Sequence, residues 1–286
     1  MTTDARPLLP GFETRELDHR GTPLRYAVGG SGPGVVLVHG LGGAASNWRA
    51  LAPALATERR VIVPELPGHG GSAPLPATPT VDPLADAVLA VLAAEDALPV
   101  PWVGHSLGGL VGLRAAIRQP DAVAGVVLAA APGISSSSRV SEVVVSLVGL
   151  AQPGRLVARR KDAWSASPLG RTVAFGWWGL ADPVGIDPDL AESFLAGPAE
   201  HSDTLSVGKA LVASDPRLDL DRVGCPCLCL WGGQDNWVPL EDGMEYARRL
   251  RAPLRVIADC GHLLIGERPD SCLKAIRSFL STLPAA

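Results

Sequence analysis

The hydrophobic positions of the chain form short unbroken runs, separated by stretches in which apolar residues recur at helical spacing. Residues 35–38 and 100–103 are unbroken runs, which is typical of strands buried on both faces of a parallel sheet. Residues 84–96 repeat their apolar side chains every three or four positions, which predicts an amphipathic helix. Strands and helices in alternation predict a parallel sheet wound with right-handed crossovers.

The other predicted elements follow the same two patterns. Strands are predicted at 12–18, 23–28, 60–65, 123–131, 227–231 and 254–258, and helices at 46–56, 107–118, 240–250 and 269–280. Ser46 has the side chain of a helix N-cap, so we expect the helix at 46–56 to begin there.

The alternation stops between residues 133 and 207. Helical patterns such as Val143, Val144, Leu147 and Val148 occur there, but no convincing strand does. We call residues 133–207 the insert. The sequence predicts that the insert is a helical cap, and that residues 1–132 and 208–286 together form the α/β core.

Composition narrows the classes of function. The chain has 286 residues, 47% of them hydrophobic, enough for one large α/β domain or two ordinary ones. A net charge of -4 gives no reason to expect nucleic acid as a partner. No apolar run approaches the roughly 18 residues of a membrane helix, and the N-terminus lacks a secretory pattern. We therefore expect a soluble, cytoplasmic protein without a membrane partner.

The five cysteines raise the question of a metal site. Cys225, Cys227 and Cys229 alternate along a predicted strand, so their side chains share one face. No Cys/His set with zinc-finger spacing accompanies them. Cysteine also packs as a small buried hydrophobe in a reducing compartment, and we favour that interpretation over a metal site.

One pentapeptide stands between a predicted strand and a predicted helix. Gly104-His105-Ser106-Leu107-Gly108 has the G-x-S-x-G pattern of a nucleophile elbow, a turn so tight that its neighbours must be glycine. Such a turn holds the serine hydroxyl clear of the sheet. Serine becomes a nucleophile only when an adjacent base takes its proton and a third group orients that base.

Candidates for the base and the acid follow later strands. Asp235 lies in a loop after the strand at 227–231, and His262 lies in a loop after the strand at 254–258. The carboxyl ends of parallel strands share one sheet edge, where open α/β sheets build their sites. Asp259 is an alternative acid, but Asp235 is better placed because it approaches the imidazole from a different strand end.

Five motifs in order carry a resemblance to a known family. They are His39-Gly40, Gly68-His69-Gly70, Gly104-x-Ser106-x-Gly108, Gly232-x-x-Asp235 and Gly261-His262. With these motifs the chain resembles the α/β-hydrolase superfamily, in its lidded esterase-like and meta-cleavage-product-hydrolase-like branch. The resemblance implies a mostly parallel twisted sheet flanked by helices, with a helical lid inserted after the sixth strand.

The resemblance also implies roles for individual residues. Ser106 matches the nucleophile, Asp235 the acid and His262 the base, and the backbone N–H groups of Leu41 and Leu107 match the oxyanion hole. Haloalkane dehalogenase-like and epoxide hydrolase-like members carry aspartate in the elbow, so a serine there implies a small-molecule acyl substrate. The chemistry requires no metal and no organic cofactor.

The remaining polar residues of the motifs are expected to be structural. His39 should fix the oxyanion loop, His69 a turn, and His105 projects away from its neighbour Ser106. Glu65 stands where relatives usually carry aspartate, and we expect this departure to have little effect on catalysis.

Substrate choice is expected to lie in the insert. Trp164, Trp177 and Trp178 offer large apolar faces to a hydrophobic substrate, or they pack the insert onto the core. The run Arg159-Arg160-Lys161 could attract a carboxylate, but such runs are more often a solvated helix face.

The leading hypothesis is a serine hydrolase that cleaves carboxylic esters with small to medium, hydrophobic groups. A C–C bond hydrolase of the meta-cleavage type is the closest alternative, and lactonases, thioesterases and perhydrolases share the same residues. A ligand-binding receptor on the same fold is the alternative outside enzymes. We expect a monomer or a homodimer.

Overall fold

Eight strands in the described part of the chain hydrogen-bond into one sheet. The structure is a computed structural model that describes residues 7–78, 80–135, 158–176 and 179–284. In chain order the strands are β1 (Glu13–His19), β2 (Thr22–Gly29), β3 (Gly34–Val38), β4 (Arg60–Pro64), β5 (Val100–His105), β6 (Val123–Ala129), β7 (Cys227–Gly232) and β8 (Leu254–Ile257). Their order across the sheet is β1-β2-β4-β3-β5-β6-β7-β8. The pairs β1-β2 and β2-β4 are antiparallel, and all the remaining neighbouring pairs are parallel.

Helices connect the strands and cover the sheet. They are α1 (Ala52–Ala56), α2 (Asp82–Ala94), α3 (Leu107–Arg118), α4 (Lys161–Ala166), α5 (Pro168–Phe175), α6 (Pro188–Glu200), α7 (Thr204–Ala213), α8 (Leu240–Leu250), α9 (Leu264–Glu267) and α10 (Pro269–Leu280). Short 3-10 helices span Ala45–Trp48, Pro120–Ala122, Pro216–Leu218 and Leu220–Arg222. The predicted α/β class with a mostly parallel sheet is confirmed, and α3, α8 and α10 have the predicted bounds.

The helix predicted at 46–56 is wrong as one continuous element. A 3-10 helix ends at Trp48 and α1 begins only at Ala52. Pro53 lies in the first turn of α1, where a missing N–H costs nothing, so it favours a new helix start over a continuation. Ser46 lies inside the 3-10 helix, and its hydroxyl donates to the carbonyl of Ser193 in α6 (3.2 Å) instead of capping.

The main core lies on both faces of the sheet. The hydrophobic side chains of the central strands β3 and β5, such as Leu37 and Trp102, are completely buried. Central parallel strands are covered by helices on both faces, which is why these strands read as unbroken apolar runs.

The insert has a small apolar cluster of its own. Its buried members are Phe175, Leu180, Ile186, Ala191 and Leu195, joined by Leu263 from the core. The predicted boundary at 207 falls inside α7, whose Val207 and Leu211 belong to the main core. The helical pattern predicted around Val143 lies outside the described residues, and the division into core and cap stays a prediction.

Among the helices that the structure describes, none combines the length and the hydropathy needed to cross a bilayer.

Glu95 ties the antiparallel edge of the sheet to α2. Its buried carboxylate accepts hydrogen bonds from Tyr26 on β2 (2.7 Å) and Arg15 on β1 (2.7 Å), and it pairs with Arg60 on β4. One side chain therefore joins three strands to the end of one helix, with its charge balanced by two arginines.

Replacing Glu95 with glutamine should destabilise the fold. The amide keeps one acceptor and places an NH₂ group against the guanidinium donors, so we expect a loss of about 2 kcal/mol in the free energy of unfolding. Urea denaturation measures this loss. Glu13→Gln is the matched control, because Glu13 pairs with the same Arg15 at the solvent-exposed surface and should show no measurable change. Equal stabilities for the two variants would contradict this role of Glu95.

Candidate active site

Ser106 occupies a strained turn between β5 and α3. Its φ is 51° and its ψ is -123°, a region that residues with a side chain rarely adopt. The turn closes because its neighbours have no side chains. A Cβ on Gly104 would lie 2.2 Å from the carbonyl of Gly108, and a Cβ on Gly108 would lie 2.1 Å from the carbonyl oxygen of Val38. The predicted elbow geometry is therefore present.

Ser106, His262 and Asp235 form one chain of hydrogen bonds. The Ser106 Oγ lies 3.1 Å from Nε2 of His262, and Nδ1 of His262 lies 2.9 Å from Oδ2 of Asp235. The carboxylate accepts only, so Nδ1 carries the proton and Nε2 is left as the acceptor for the serine hydroxyl. All three residues are buried, with at most 8% of their surface exposed. The arrangement can move a proton from Ser106 to His262.

The loops of Asp235 and His262 meet through a glycine contact. A Cβ on Gly232, at the end of β7, would lie 2.2 Å from the carbonyl oxygen of Gly261, so only glycine allows this approach. The second oxygen of Asp235 accepts from the N–H groups of Trp237 and Val238, both at 2.8 Å, which fixes the carboxylate. The alternative acid, Asp259, is exposed to solvent.

The two predicted oxyanion residues belong to segments that adjoin Ser106. Leu107 is the first residue of α3, and the first N–H groups of a helix have no acceptor within it. Leu41 lies in a β-turn closed by a hydrogen bond from Gly43 N–H to the Gly40 carbonyl (3.0 Å). A Cβ on Gly40 would lie 2.9 Å from Cβ of Ser106, which brings this turn against the elbow. The turn of Leu41 and the start of α3 therefore both adjoin Ser106, and the role of their N–H groups as an oxyanion hole stays a prediction.

Buried histidines hold the two loops in place. His39 accepts from Leu66 N–H at Nε2 (3.0 Å), so its Nδ1 carries the proton and donates to the Gly40 carbonyl (2.8 Å). His105 donates from Nε2 to the carbonyl of His262 (2.9 Å). Burial lowers the pKa of His39 to about 4 and that of His105 to about 3, so both imidazoles are neutral near pH 7.

His69 and His201 extend the histidine cluster toward the insert. His69 lies with its ring centroid 5.3 Å from that of His39 and 4.8 Å from that of His201. Nδ1 of His69 donates to the Pro67 carbonyl (3.1 Å), and Nδ1 of His201 accepts from Gly70 N–H (3.3 Å). Burial places the pKa of His69 well below its ordinary value. Sequence reasoning missed His201, because nothing in its neighbourhood along the chain points to this contact.

Glu65 has a structural environment. Its carboxylate accepts from Gly71 N–H (2.7 Å), and burial raises its pKa. A Cβ on Gly70 would lie 2.3 Å from the carboxyl group, so Glu65 and the turn at Gly70 are packed closely together.

The structure describes only one of the three tryptophans that were predicted to contact substrate. Trp164 is half-buried against the apolar cluster of the insert, so it contributes at least to packing. Trp177 and Trp178 lie outside the described residues. Arg159 and Arg160 are exposed, while Lys161 pairs with Glu192 and with Asp162 (3.0 Å).

The described residues contain no group of three or more histidine, cysteine or acidic side chains arranged to hold a metal ion. Cys227 and Cys229 lie in β7 and are buried, whereas Cys225 lies two residues before β7 and is half-buried; all three are free thiols.

Comparison with known proteins identifies the family. A sequence profile described as "Alpha/beta hydrolase family" matches residues 35–275. The chain belongs to the alpha/beta hydrolase family. This assignment confirms the family resemblance seen in the five motifs.

Relatives within the alpha/beta hydrolase family have several activities. A pimeloyl-[acyl-carrier protein] methyl ester esterase of Aromatoleum aromaticum is 34% identical over 87% of this chain and 98% of its own. A 2-hydroxymuconate semialdehyde hydrolase of Pseudomonas sp. (strain CF600) is 30% identical over 93% of this chain and 89% of its own. The dihydrolipoyllysine-residue acetyltransferase component of an acetoin cleaving system from Pseudomonas putida is 32% identical over 89% of this chain, which spans 65% of that longer relative.

A solved structure gives the same fold. A thermophilic esterase from Thermogutta terrifontis superposes with a TM-score of 0.74 at 25% identity, covering 94% of this chain and 98% of its own.

The buried histidines predict how stability depends on pH. The unfolded chain binds protons at His39, His69 and His105 near the ordinary pKa of 6.5, whereas the folded protein does so only at much lower pH. The free energy of unfolding should therefore fall as the pH falls from 6.5 toward 4, by up to about 1.4 kcal/mol per pH unit for each histidine.

Urea denaturation at a series of pH values measures this slope. His39→Gln removes one of the three imidazoles, so its slope should be shallower than that of the wild type over the same range. A free energy of unfolding that stays constant down to pH 5 would contradict the prediction.

Proposed function

We propose that this alpha/beta hydrolase is a serine hydrolase that cleaves carboxylic esters through an acyl-enzyme on Ser106. The observation that carries the proposal is the hydrogen-bonded chain from Asp235 through His262 to Ser106. In this chain a base lies within reach of a nucleophile and a carboxylate orients the base, which is the arrangement that activates serine.

The proposed reaction has two proton transfers through His262. His262 Nε2 takes the proton of Ser106 as Oγ attacks the ester carbonyl, and Asp235 stabilises the resulting imidazolium. The backbone N–H groups of Leu41 and Leu107 bind the oxyanion of the tetrahedral intermediate. His262 then protonates the departing alcohol. Water repeats the sequence at the acyl-enzyme and releases the acid.

The residue at the elbow supports acyl chemistry over dehalogenation. An aspartate at this position would attack a carbon that bears a leaving group and form an ester with the enzyme. Ser106 instead suits a substrate with an acyl carbon, because its tetrahedral intermediate has an oxyanion that two backbone donors can bind. The similarity to a methyl ester esterase and to a solved esterase agrees with this choice.

The proposal includes the insert as a cap that shapes the substrate pocket. Leu263, next to His262, donates its N–H to the carbonyl of Gly179 in the insert (2.9 Å) and packs into the insert's apolar cluster. An apolar cluster so close to the base favours a hydrophobic substrate of small to medium size.

A C–C bond hydrolase of the meta-cleavage type is the second candidate. The similarity to a 2-hydroxymuconate semialdehyde hydrolase supports it, and the same three side chains could serve that reaction. Comparing turnover of esters, lactones, thioesters and dienoic ketones separates the candidates, since a true substrate class should dominate in kcat/KM. Binding without turnover of any of them would favour the receptor hypothesis.

Ser106→Ala should lower kcat for p-nitrophenyl acetate by roughly 10⁴-fold or more, because the nucleophile is lost. It should also abolish labelling by a fluorophosphonate probe, while the circular dichroism spectrum stays that of the wild type. Ser281→Ala, at the exposed end of α10, is the control that should keep both activities. Turnover by the Ser106 variant at the wild-type rate would overturn the proposal.

Asp235→Asn should lower kcat by roughly 10⁴-fold, because an amide cannot hold the imidazole in the required tautomer. Asp259→Asn, at the exposed alternative position, should keep wild-type kcat. Steady-state kinetics on the same ester measures both variants. The reverse result, a large loss for Asp259 and none for Asp235, would assign the acid to Asp259.

A further inference from the structure

Glu267 joins the loop of His262 to the insert. Its side chain, at the end of α9, is buried, and its two oxygens accept from two different parts of the chain. Oε2 accepts from Gly261 N–H (2.7 Å), the residue before His262, and Oε1 accepts from Asp182 N–H in the insert (2.7 Å).

The insert lies directly against this loop. A Cβ on Gly261 would lie 2.8 Å from the Gly179 carbonyl oxygen and 2.9 Å from the nitrogen of Ala181, so the two backbones are in close contact. On its other side the loop lies against Gly232 at the end of β7. The position of His262 therefore depends on two surfaces, one from the sheet and one from the insert.

A carboxylate is the side chain that suits these partners. Each oxygen faces a backbone N–H, so both must act as acceptors. Glutamine has the same shape but one acceptor, and its NH₂ group would face an N–H. A Glu267→Gln variant therefore loses the contact with Gly261 or the contact with Asp182, and it leaves a buried donor unsatisfied.

We propose that Glu267 is a positioning residue that fixes the loop of His262 and couples its placement to the seating of the insert. The proposal rests on the proposed function of His262 as the base. Glu267 hydrogen-bonds to Gly261 and Asp182 and not to Ser106, so it acts through the position of the imidazole. A displacement of about 1 Å at a reacting group costs up to roughly a hundredfold in rate.

The experiment compares three variants of the full chain with the wild type. Glu267→Gln removes one acceptor. Asp182→Pro removes the N–H that faces Oε1 and leaves the contact with Gly261. Asp182→Ala is the matched control, because it keeps that N–H and removes only the side chain, whose Oδ1 accepts from Gly185.

Fluorophosphonate titration counts the active sites, so kcat for p-nitrophenyl acetate is expressed per competent site. We expect Glu267→Gln and Asp182→Pro to lower kcat per site by roughly tenfold to a hundredfold with little change in KM. The rate constant for fluorophosphonate labelling should fall by a similar factor, since it also depends on the base. Asp182→Ala should have wild-type kcat per site.

Three other results overturn the proposal. A lower Tm with unchanged kcat per site would show a purely structural role, and a raised KM with unchanged kcat would show an effect on the substrate pocket alone. If Glu267→Gln does not fold, wild-type kcat per site in Asp182→Pro overturns the coupling. Wild-type protein that neither labels nor turns over the ester would instead refute the proposed function, and this inference with it.

Discussion

The close approach of backbone at the elbow is the constraint on which the rest of the site depends. Ser106 is held in a conformation that costs about 1–3 kcal/mol, and such strain persists only where the surroundings leave no alternative. Gly104 and Gly108 allow the turn to contact its own helix and β3 at distances that a side chain would forbid. The buried parallel sheet supplies the rigid frame that maintains this strain.

The same principle brings the proposed acid and the proposed base together. Gly232 lets the end of β7 approach the loop that follows β8 at backbone distance, so that Asp235 and His262 meet across the gap. The Asp235 carboxylate also accepts from two backbone N–H groups, and the His262 carbonyl accepts from the His105 ring, so both loops are held in place. Because the two loops contact each other closely, the short side chain of Asp235 is long enough to reach His262.

The insert contacts both sides of the candidate site. On the side of the proposed oxyanion turn, Asn47 accepts from Ala44 N–H (3.1 Å) and donates to the Ser193 carbonyl of α6 (2.9 Å). On the base side, Glu267 and Leu263 bond to Asp182 and Gly179. Both loops therefore contact the sheet on one side and the insert on the other. The geometry of the candidate site thus depends on where the insert lies.

The sequence by itself determined the elements that local patterns encode. Periodicity predicted the parallel sheet and the bounds of α3, α8 and α10, and motif order predicted that Ser106, Asp235 and His262 belong to one site, because the ends of parallel strands share an edge. Only the tertiary structure decided the partners that are distant along the chain. The break at Pro53, the contact of His201 with Gly70 and the two bonds of Glu267 depend on which surfaces pack together. Nothing in the sequence distinguishes Glu267 from an exposed glutamate, because one of its two backbone donors, Asp182 N–H, comes from a segment that only folding brings near.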